Sequence, residues 1–597
     1  MTMTAMSRDA TKEKYRLERD KRLRSDGNDQ YVRLSGDLDS FAVDPHTPFK
    51  ERAAIQDHVT FAFIGGGFAG LVVGARLKEA GIDSVRIIEK GGDFGGTWYW
   101  NRYPGAQCDT ASMIYMPLLE ETGHMPTEKY VHGPEILEHC QRIGRQYNLY
   151  DQALFHTEVE ALEWQEDQQV WTIRTNRGDA FTAKYIGMGT GPLHVAKLPG
   201  IDGLSSFKGK AFHTSRWDYD YTGGDARGAP MDKLADKRVA ILGTGATAVQ
   251  CVPHLAKAAK ELLVFQRTPS SVDERNNGPI DPDWFQQIAT PGWQQKWYDN
   301  FVDNQSQGLP EEDLVMDGWT ELSRRIREKV LALPPTKWTP ETMMDAFEDA
   351  DFEKMDEIRG RVDKIVKDEE TAANLKAWYR QLCKRPCFHD AYLQAFNEPG
   401  TRLIDTDGQG VSRVTETGLE ANGQHYDVDC IIYASGFEVG SDYTERAGFD
   451  AVGRNGRVLS KYWEDGMRTL HGLHVHGFPN MFIVQPSQAA NLISNVPHNI
   501  VDHAKTISCI VAHAEGHGLR EVEATEQAET DWVNQVLSGA GMMIGSTECT
   551  PGYYNNEGKG LTDKNRHGLG HPGGARAYFQ HIAAWRDSGA FSGLEFR

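Results

Sequence analysis

Two glycine-rich turns carry the first recognisable chemistry in this chain of 597 residues. Residues 65–70 read Gly65-Gly66-Gly67-Phe68-Ala69-Gly70, a full GxGxxG. At such a turn Gly65 permits the tight bend, Gly67 lets bare backbone approach a pyrophosphate, and Gly70 lets the next helix pack closely on the strand. The pyrophosphate would rest on the helix N-terminus, whose backbone N–H groups are free. Glu89 lies 19 residues beyond Gly70, where a carboxylate can accept both ribose hydroxyls. The second turn, Gly243-Thr244-Gly245-Ala246-Thr247-Ala248, has the GxGxxA form, and the run after it ends in Phe265-Gln266-Arg267-Thr268 instead of an acid. An acid there would repel a 2′-phosphate, whereas Arg267 and Thr268 offer a cation and a hydroxyl. One acidic-ended and one basic-ended turn point to FAD followed by NADPH, and so to a flavin enzyme reduced by a nicotinamide.

The elements that must position these turns are legible in the patterning. Val59–Ile64 is a short apolar run suited to a buried parallel strand, residues 71–80 read as a helix ended by Gly81, and residues 85–89 as the next strand. The pattern restarts with a strand at 238–242, a helix at 248–259 and a strand at 262–265, and strands return near 402–405 and 429–434. Between 273 and 378 the strand patterning gives way to Trp, Asp, Glu and Lys, which reads as helices. The expected fold is α/β: two Rossmann-like dinucleotide-binding domains with a helical insertion. The expected division is an N-terminal extension over 1–57, FAD-binding parts over 58–206 and 438–597 (the latter with the C-terminal region), NADP-binding parts over 207–272 and 379–437, and the insertion over 273–378. The extension, a charged helix and then the irregular stretch 44–49, reads as a solvated helix strapped to the body.

Lys plus Arg is 64 and Asp plus Glu 85, a net charge of −21, which disfavours nucleic acid as a partner. No apolar run approaches the roughly 18–20 residues of a membrane span, and the mixed-charge N-terminus lacks the apolar core of a secretory signal. Eight cysteines are too few for a disulfide scaffold, so a cytoplasmic location with reduced thiols is expected. Cys383 and Cys387 form a CxxxC whose spacing reads as incidental. His474 and His476, two apart on an expected strand, read as a core or solvated pair instead of metal ligands, because no Cys or acid clusters with them; no metal is expected.

Residues 207–218 match FxGxxxHxxxW(P/D) at Phe207, Gly209, His213, Trp217 and Asp218, and GGxWxxxx(F/Y)PGxxxD occurs at Gly95, Gly96, Trp98, Tyr103, Pro104, Gly105 and Asp109. With these motifs the chain resembles the Baeyer–Villiger monooxygenases, from about residue 58 to the end, and in particular the longer members with an N-terminal extension, such as the cyclopentadecanone and steroid monooxygenases. The resemblance implies that NADPH reduces FAD, that the reduced flavin traps O2 as a C4a-peroxyflavin, and that the peroxide converts a ketone, large and cyclic or steroid-like, into an ester or lactone. It implies Arg385 as the active-site arginine with Asp109 as its partner, and Lys384 on the NADP 2′-phosphate. It makes His213 and Trp217 a domain linker. Other expected cofactor contacts are Gly96, Thr97, Trp98, Tyr115, Val159, Gln107 and Gln250. The family often carries Arg where this chain has Gln107, so one cation fewer is expected near the nicotinamide. Ala434-Ser435-Gly436-Phe437 and Gly477-Phe478-Pro479-Asn480 resemble segments that return the chain to the FAD side, and 485–499 is expected to line the substrate side. The alternatives are an N- or S-oxygenating flavin monooxygenase, a flavin disulfide reductase and a non-enzymatic redox sensor. Oligomeric state stays open.

Overall fold

The computed structural model describes residues 6–34, 36–305, 310, 312–485, 487–490, 495–539 and 546–597. Helix α1 (Arg8–Asp20) is capped by Ser7, whose hydroxyl accepts from the Ala10 N–H. Strand β1 (His58–Ile64), helix α2 (Phe68–Glu79) and strand β2 (Val85–Ile88) form the first βαβ unit. Strands β3 (Val159–Gln165), β4 (Val170–Thr175) and β5 (Ala180–Met188) follow as a meander that brings β5 back parallel to β1. Strands β6 (Lys210–His213) and β7 (Arg238–Leu242), helix α3 (Ala246–Ala258) and strand β8 (Glu261–Gln266) build the second unit. The 273–378 stretch is helical; its long helices are α4 (Trp293–Gln305), α5 (Gly318–Leu331) and α6 (Pro340–Ile365). Strands β9 (Thr401–Asp405) and β10 (Cys430–Tyr433) complete the second sheet. Strands β11 (Asp450–Val452) and β12 (Met481–Ile483) return to the first, ahead of helix α7 (Val496–Gly516).

The first sheet has the order β11-β3-β4-β5-β1-β2, with β12 also on β5; the second, wholly parallel, has the order β9-β8-β7-β10-β6. Phe61 and Phe63 of β1 and Ala69–Ala75 of α2 are buried, and α7 closes over α2. A helix apolar all round is stable only when covered on every side. Residues 239–242 of β7 are likewise buried without alternation, as expected for a strand covered on both faces.

One expectation holds and one needs correction. The N-terminal helix is strapped to the body, with most of its residues exposed. Tyr15 is buried against Phe352 of α6, and Lys12 pairs with Glu348 at 2.7 Å. Beyond it, Tyr31–Val32 pairs with Leu198–Pro199. No strand forms at His474–His476, where Leu470 and His474 make only an isolated bridge. Glycines with positive φ at 472 and 477 turn the chain there, and regular strand begins only at Met481.

Candidate active site

The two glycine turns open on one cavity of about 910 Å³. Gly65 adopts φ +111°, and a Cβ there would lie 2.5 Å from the Gly189 carbonyl oxygen. Gly67 and Gly96 face each other so closely that a Cβ on Gly96 would stand 2.7 Å from the Gly67 Cα. Gly65, Gly67, Glu89, Gly96, Thr97, Trp98, Tyr115 and Val159 all line the cavity. Gly70 does not: a Cβ there would meet the Gly65 carbonyl oxygen at 2.1 Å, so its service is helix-on-strand packing. The Glu89 carboxylate accepts from the Gly66 N–H at 2.6 Å and the Gly91 N–H at 2.7 Å, which fixes the turn and leaves lone pairs for hydroxyls. Burial raises its pKa, partly offset by these two donors.

At the second turn, Gly243 has φ +116°, and a Cβ would sit 2.6 Å from the Ala434 carbonyl oxygen, whereas a Cβ on Gly245 would meet nothing within 4 Å. Thr244, Ala246, Thr247 and Gln250 join them on the wall, while Ala248 is turned into the core. Bare backbone at two helix N-termini fits the pyrophosphates of two dinucleotides. Arg267, Thr268 and Lys384 gather beside the second turn. Burial pushes the Lys384 ammonium down to about 8, and the neighbouring Arg267 charge acts the same way. Glu557 balances this cluster, 3.6 Å from Arg267. An excess of cations beside a hydroxyl suits a phosphate.

The Lys384 backbone is extended (φ −127°, ψ 164°), and its neighbour Arg385 reaches the Asp109 side of the cavity. Arg385 Nη1 and Nη2 donate to the two Asp109 carboxylate oxygens at 2.5 and 2.6 Å, a two-pronged pair. Burial alone would raise the Asp109 carboxyl; the charge and hydrogen bonds of Arg385, with a contribution from Arg275, outweigh it and hold the pKa below the usual value. Trp319 touches both partners: its Nε1–H donates to the Asp109 backbone carbonyl at 2.8 Å, and the Arg385 guanidinium lies 5.3 Å from its ring. A capping box between Asp317 and Thr320 starts α5 and sets Trp319 in place, while Gly318 lies where any Cβ would strike Phe388.

Gln107 is gripped on all sides. Its Nε2 donates to the Tyr130 carbonyl at 2.5 Å, its Oε1 accepts from the Arg275 guanidinium, and Gln250 Nε2 donates to its backbone carbonyl at 2.7 Å. The cation missing from position 107 in sequence is thus present in space as Arg275. His213 is fully buried at the end of β6, with Nδ1 2.8 Å from the Ser215 hydroxyl and its ring against Phe437; burial pushes it down to about 3, so it is neutral. Trp217 packs on Phe212 and donates to the Thr222 hydroxyl at 3.2 Å. Neither residue lines the cavity.

A family model described as pyridine nucleotide-disulphide oxidoreductase matches residues 62–296. The chain is 48% identical to neopentalenolactone D synthase of Streptomyces avermitilis, over 99% of both chains. It is 47% identical to a Baeyer–Villiger monooxygenase of Stachybotrys chlorohalonatus, over 97% of this chain and 93% of that one. The chain belongs to the Baeyer–Villiger monooxygenase family. Its fold matches the solved polycyclic ketone monooxygenase of Thermothelomyces thermophila with a TM-score of 0.91 at 36% identity, covering 99% of each chain. OTEMO, solved as a complex with FAD and NADP, matches with a TM-score of 0.73 at 26% identity, over 90% of this chain and 99% of that one. The protein is an FAD- and NADPH-dependent monooxygenase acting on ketones, and the N- or S-oxygenating alternative is set aside.

Several residues of this monooxygenase's site escape the sequence reading. Arg24, Gln30 and Tyr31 of the N-terminal segment line the cavity, and Gln30 accepts from Arg267. Tyr553, Tyr554 and Glu557 close it from the C-terminal side. The expectation of reduced thiols is overturned at one place: Cys383 is disulfide-bonded to Cys549, not to Cys387. The fold brings together cysteines 166 residues apart, which no spacing rule could pair. Cys108 is a free thiol, pushed up to about 12 by burial and the adjacent Asp109 charge, and so is unreactive. Among the described residues no group of three His, Cys, Asp or Glu could hold a metal, and no helix is long and apolar enough to cross a membrane. Of the 485–499 segment, Gln485, Ser487, Asn495, Val496, Pro497 and Asn499 line the cavity; residues 486 and 491–494 lie outside the described residues.

Proposed function

We propose that this cavity converts a large cyclic ketone into a lactone, with FAD held at Gly65, Gly67, Glu89, Gly96, Thr97, Trp98, Tyr115 and Val159, and NADPH at Gly243–Thr247, Gln250, Arg267, Thr268 and Lys384. The two sheets support a division into FAD-binding (58–206, 438–597) and NADP-binding (207–272, 379–437) parts with an insertion at 273–378. When bound, the flavin supplies hydride acceptance from NADPH and activation of O2. The chain supplies charge, orientation and dryness. Arg385 stays charged at any working pH and offers an oxygen anion the N–H donors that Asp109 leaves free. Asp109 fixes the orientation of the guanidinium, and the Trp319 indole holds both members of the pair. Phe301, Trp319, Val484, Val496 and Ile500 form an apolar wall that excludes water from the reacting oxygen.

The observation that carries this reading is the two-pronged Asp109–Arg385 pair on the wall of a cavity that also reaches both glycine turns. The size of the ketone is supported by the apolar wall and by relatives named for a neopentalenolactone and for polycyclic ketones. A cytoplasmic location suits an enzyme that draws on NADPH. The test is product analysis over ketones graded from cyclohexanone to macrocycles and steroids. Arg385→Ala is expected to retain FAD absorbance and to make no lactone from any of them. A normal lactone yield in that variant would refute the assignment of Arg385.

A further inference from the structure

Arg275 is an anomaly in the polar interior. Its side chain is buried, at 6% exposure, yet among the described residues it makes no ion pair within 4 Å, and its Nε finds no hydrogen-bond partner. Its one side-chain hydrogen bond goes to the neutral amide oxygen of Gln107. Desolvating a guanidinium is costly unless an anion answers it. The nearby Asp390 is committed to the backbone, accepting from the Arg275 N–H at 2.8 Å and the Asn276 N–H at 3.2 Å.

The anion its charge bears on is Asp109, two residues along the chain from Gln107. Gln107 cannot swing away, because Tyr130 and Gln250 hold its amide and its backbone. The titratable groups facing Asp109 are Arg385, Arg275, Cys108, Cys387, Tyr103 and Tyr130. Burial raises both thiols and both phenols, so all four are neutral at ordinary pH. Two guanidiniums therefore bear on one carboxylate: Arg385 in the two-pronged pair, and Arg275 from its seat on the Gln107 amide oxygen.

We propose that Arg275 is a positioning residue for the Asp109–Arg385 pair: seated on the Gln107 side chain, two residues from Asp109, it supplies a second cation near that carboxylate, so that Arg385 keeps unneutralised charge facing the cavity. Arg275 itself does not line the cavity and touches no substrate. The inference rests on the functional reading above, in which that charge serves the nicotinamide cofactor and the reacting oxygen.

The test uses the FAD-loaded enzyme and three variants. Arg275→Gln removes the charge and keeps a hydrogen-bonding amide; Arg275→Lys keeps a charge; Gln107→Arg with Arg275→Gln moves the guanidinium to the other end of the same hydrogen bond. A unit charge acting across a buried gap of several ångströms is worth about tenfold in an equilibrium or a rate. Arg275→Gln is expected to raise the NADP+ dissociation constant, read by equilibrium titration, and to lower kcat, each about tenfold. KM for the ketone should stay within about twofold, because the ketone wall is untouched. Arg275→Lys should recover part of both losses, and the exchanged pair should return both to within about threefold of the wild type. Wild-type NADP+ affinity and kcat in Arg275→Gln would overturn the proposal. So would an exchanged pair as impaired as the single variant, in binding or in folding. The wild type assayed alongside keeps the two readings apart: absence of lactone there would count against the functional reading itself.

Discussion

Trp319→Phe removes one hydrogen bond and little else. The indole N–H that donates to the Asp109 carbonyl at 2.8 Å is lost, while a six-membered ring remains for the Arg385 guanidinium, which lies 5.3 Å from the present ring. Asp109 is only 5% exposed, so water does not readily replace the lost donor. A hydrogen bond is worth about 1 kcal/mol net, and a buried acceptor left bare costs about 1–3 kcal/mol. At about 1.4 kcal/mol per decade, the orientation of the pair weakens by roughly five- to a hundredfold if all of it is felt in the transition state. Trp319→Leu should lose more, because a cation–π contact of about 0.5–2 kcal/mol goes as well. The assay is stopped-flow bleaching of the flavin by NADPH, with lactone yield and ketone KM measured on the same preparations. Slower reduction and lower yield at unchanged ketone KM are expected. Wild-type reduction with only a changed ketone KM would refute the reasoning, since Trp319 would then be pocket wall and no more.

Lys384 gives a pH signature. Its ammonium is pushed down to about 8, so it is charged below that pH and loses its charge as pH rises through it. NADP+ affinity, titrated from roughly pH 7 to 10, should be full at the low end and fall above about 8. The fall should vanish in Lys384→Met and be absent for NAD+, which lacks the 2′-phosphate. The Cys383–Cys549 link closes a loop of 166 residues. Cys549→Ser, or treatment with dithiothreitol, should cost about 2–4 kcal/mol and lower the melting temperature. It should also weaken NADP+ binding, because Tyr553 and Glu557 close the cavity from the same segment. An unchanged melting temperature would mean that the two sulfurs are not joined in the working enzyme.

What could be read from the sequence divides along chain distance. Gly65–Gly70 with Glu89, and Gly243–Ala248 with Arg267 and Thr268, are legible because one βαβ unit builds each constellation from contiguous residues. Boundaries drift: α2 starts at Phe68 instead of Leu71, and α3 at Ala246 instead of Ala248, because a helix begins inside the glycine turn itself. The same proximity hides that Ala248 faces the core and not the cavity. Asp109 and Arg385 stand 276 residues apart and could be paired only through family resemblance. Trp319 and Arg275 carry no local signal. One is a single tryptophan among 14, in a helical stretch without a motif, and the other follows an edge strand of two residues, Val272–Asp273. The neutral Gln107 reads as a loss of charge until the fold sets Arg275 against it.

These long-range contacts share one feature. The segment from Tyr103 to Asp109 follows the first glycine unit in the chain, yet the side chains that hold it come from residues 250–385. Gln250 on α3 accepts from the Tyr103 hydroxyl at 3.1 Å and the Gln107 N–H at 3.3 Å, and donates to the Gln107 carbonyl at 2.7 Å. Arg275, Trp319 and Arg385 complete the grip. Gln250 is 5% exposed, so sliding α3 away would strand a buried N–H and a buried C=O at once, and buried backbone groups are seldom left unpaired. Gln250 thus links the segment that carries Asp109 to the helix that begins at the second glycine turn. A dinucleotide seated on that turn would have a hydrogen-bonded path to the charged pair, through Gln250 and Gln107, without touching Asp109.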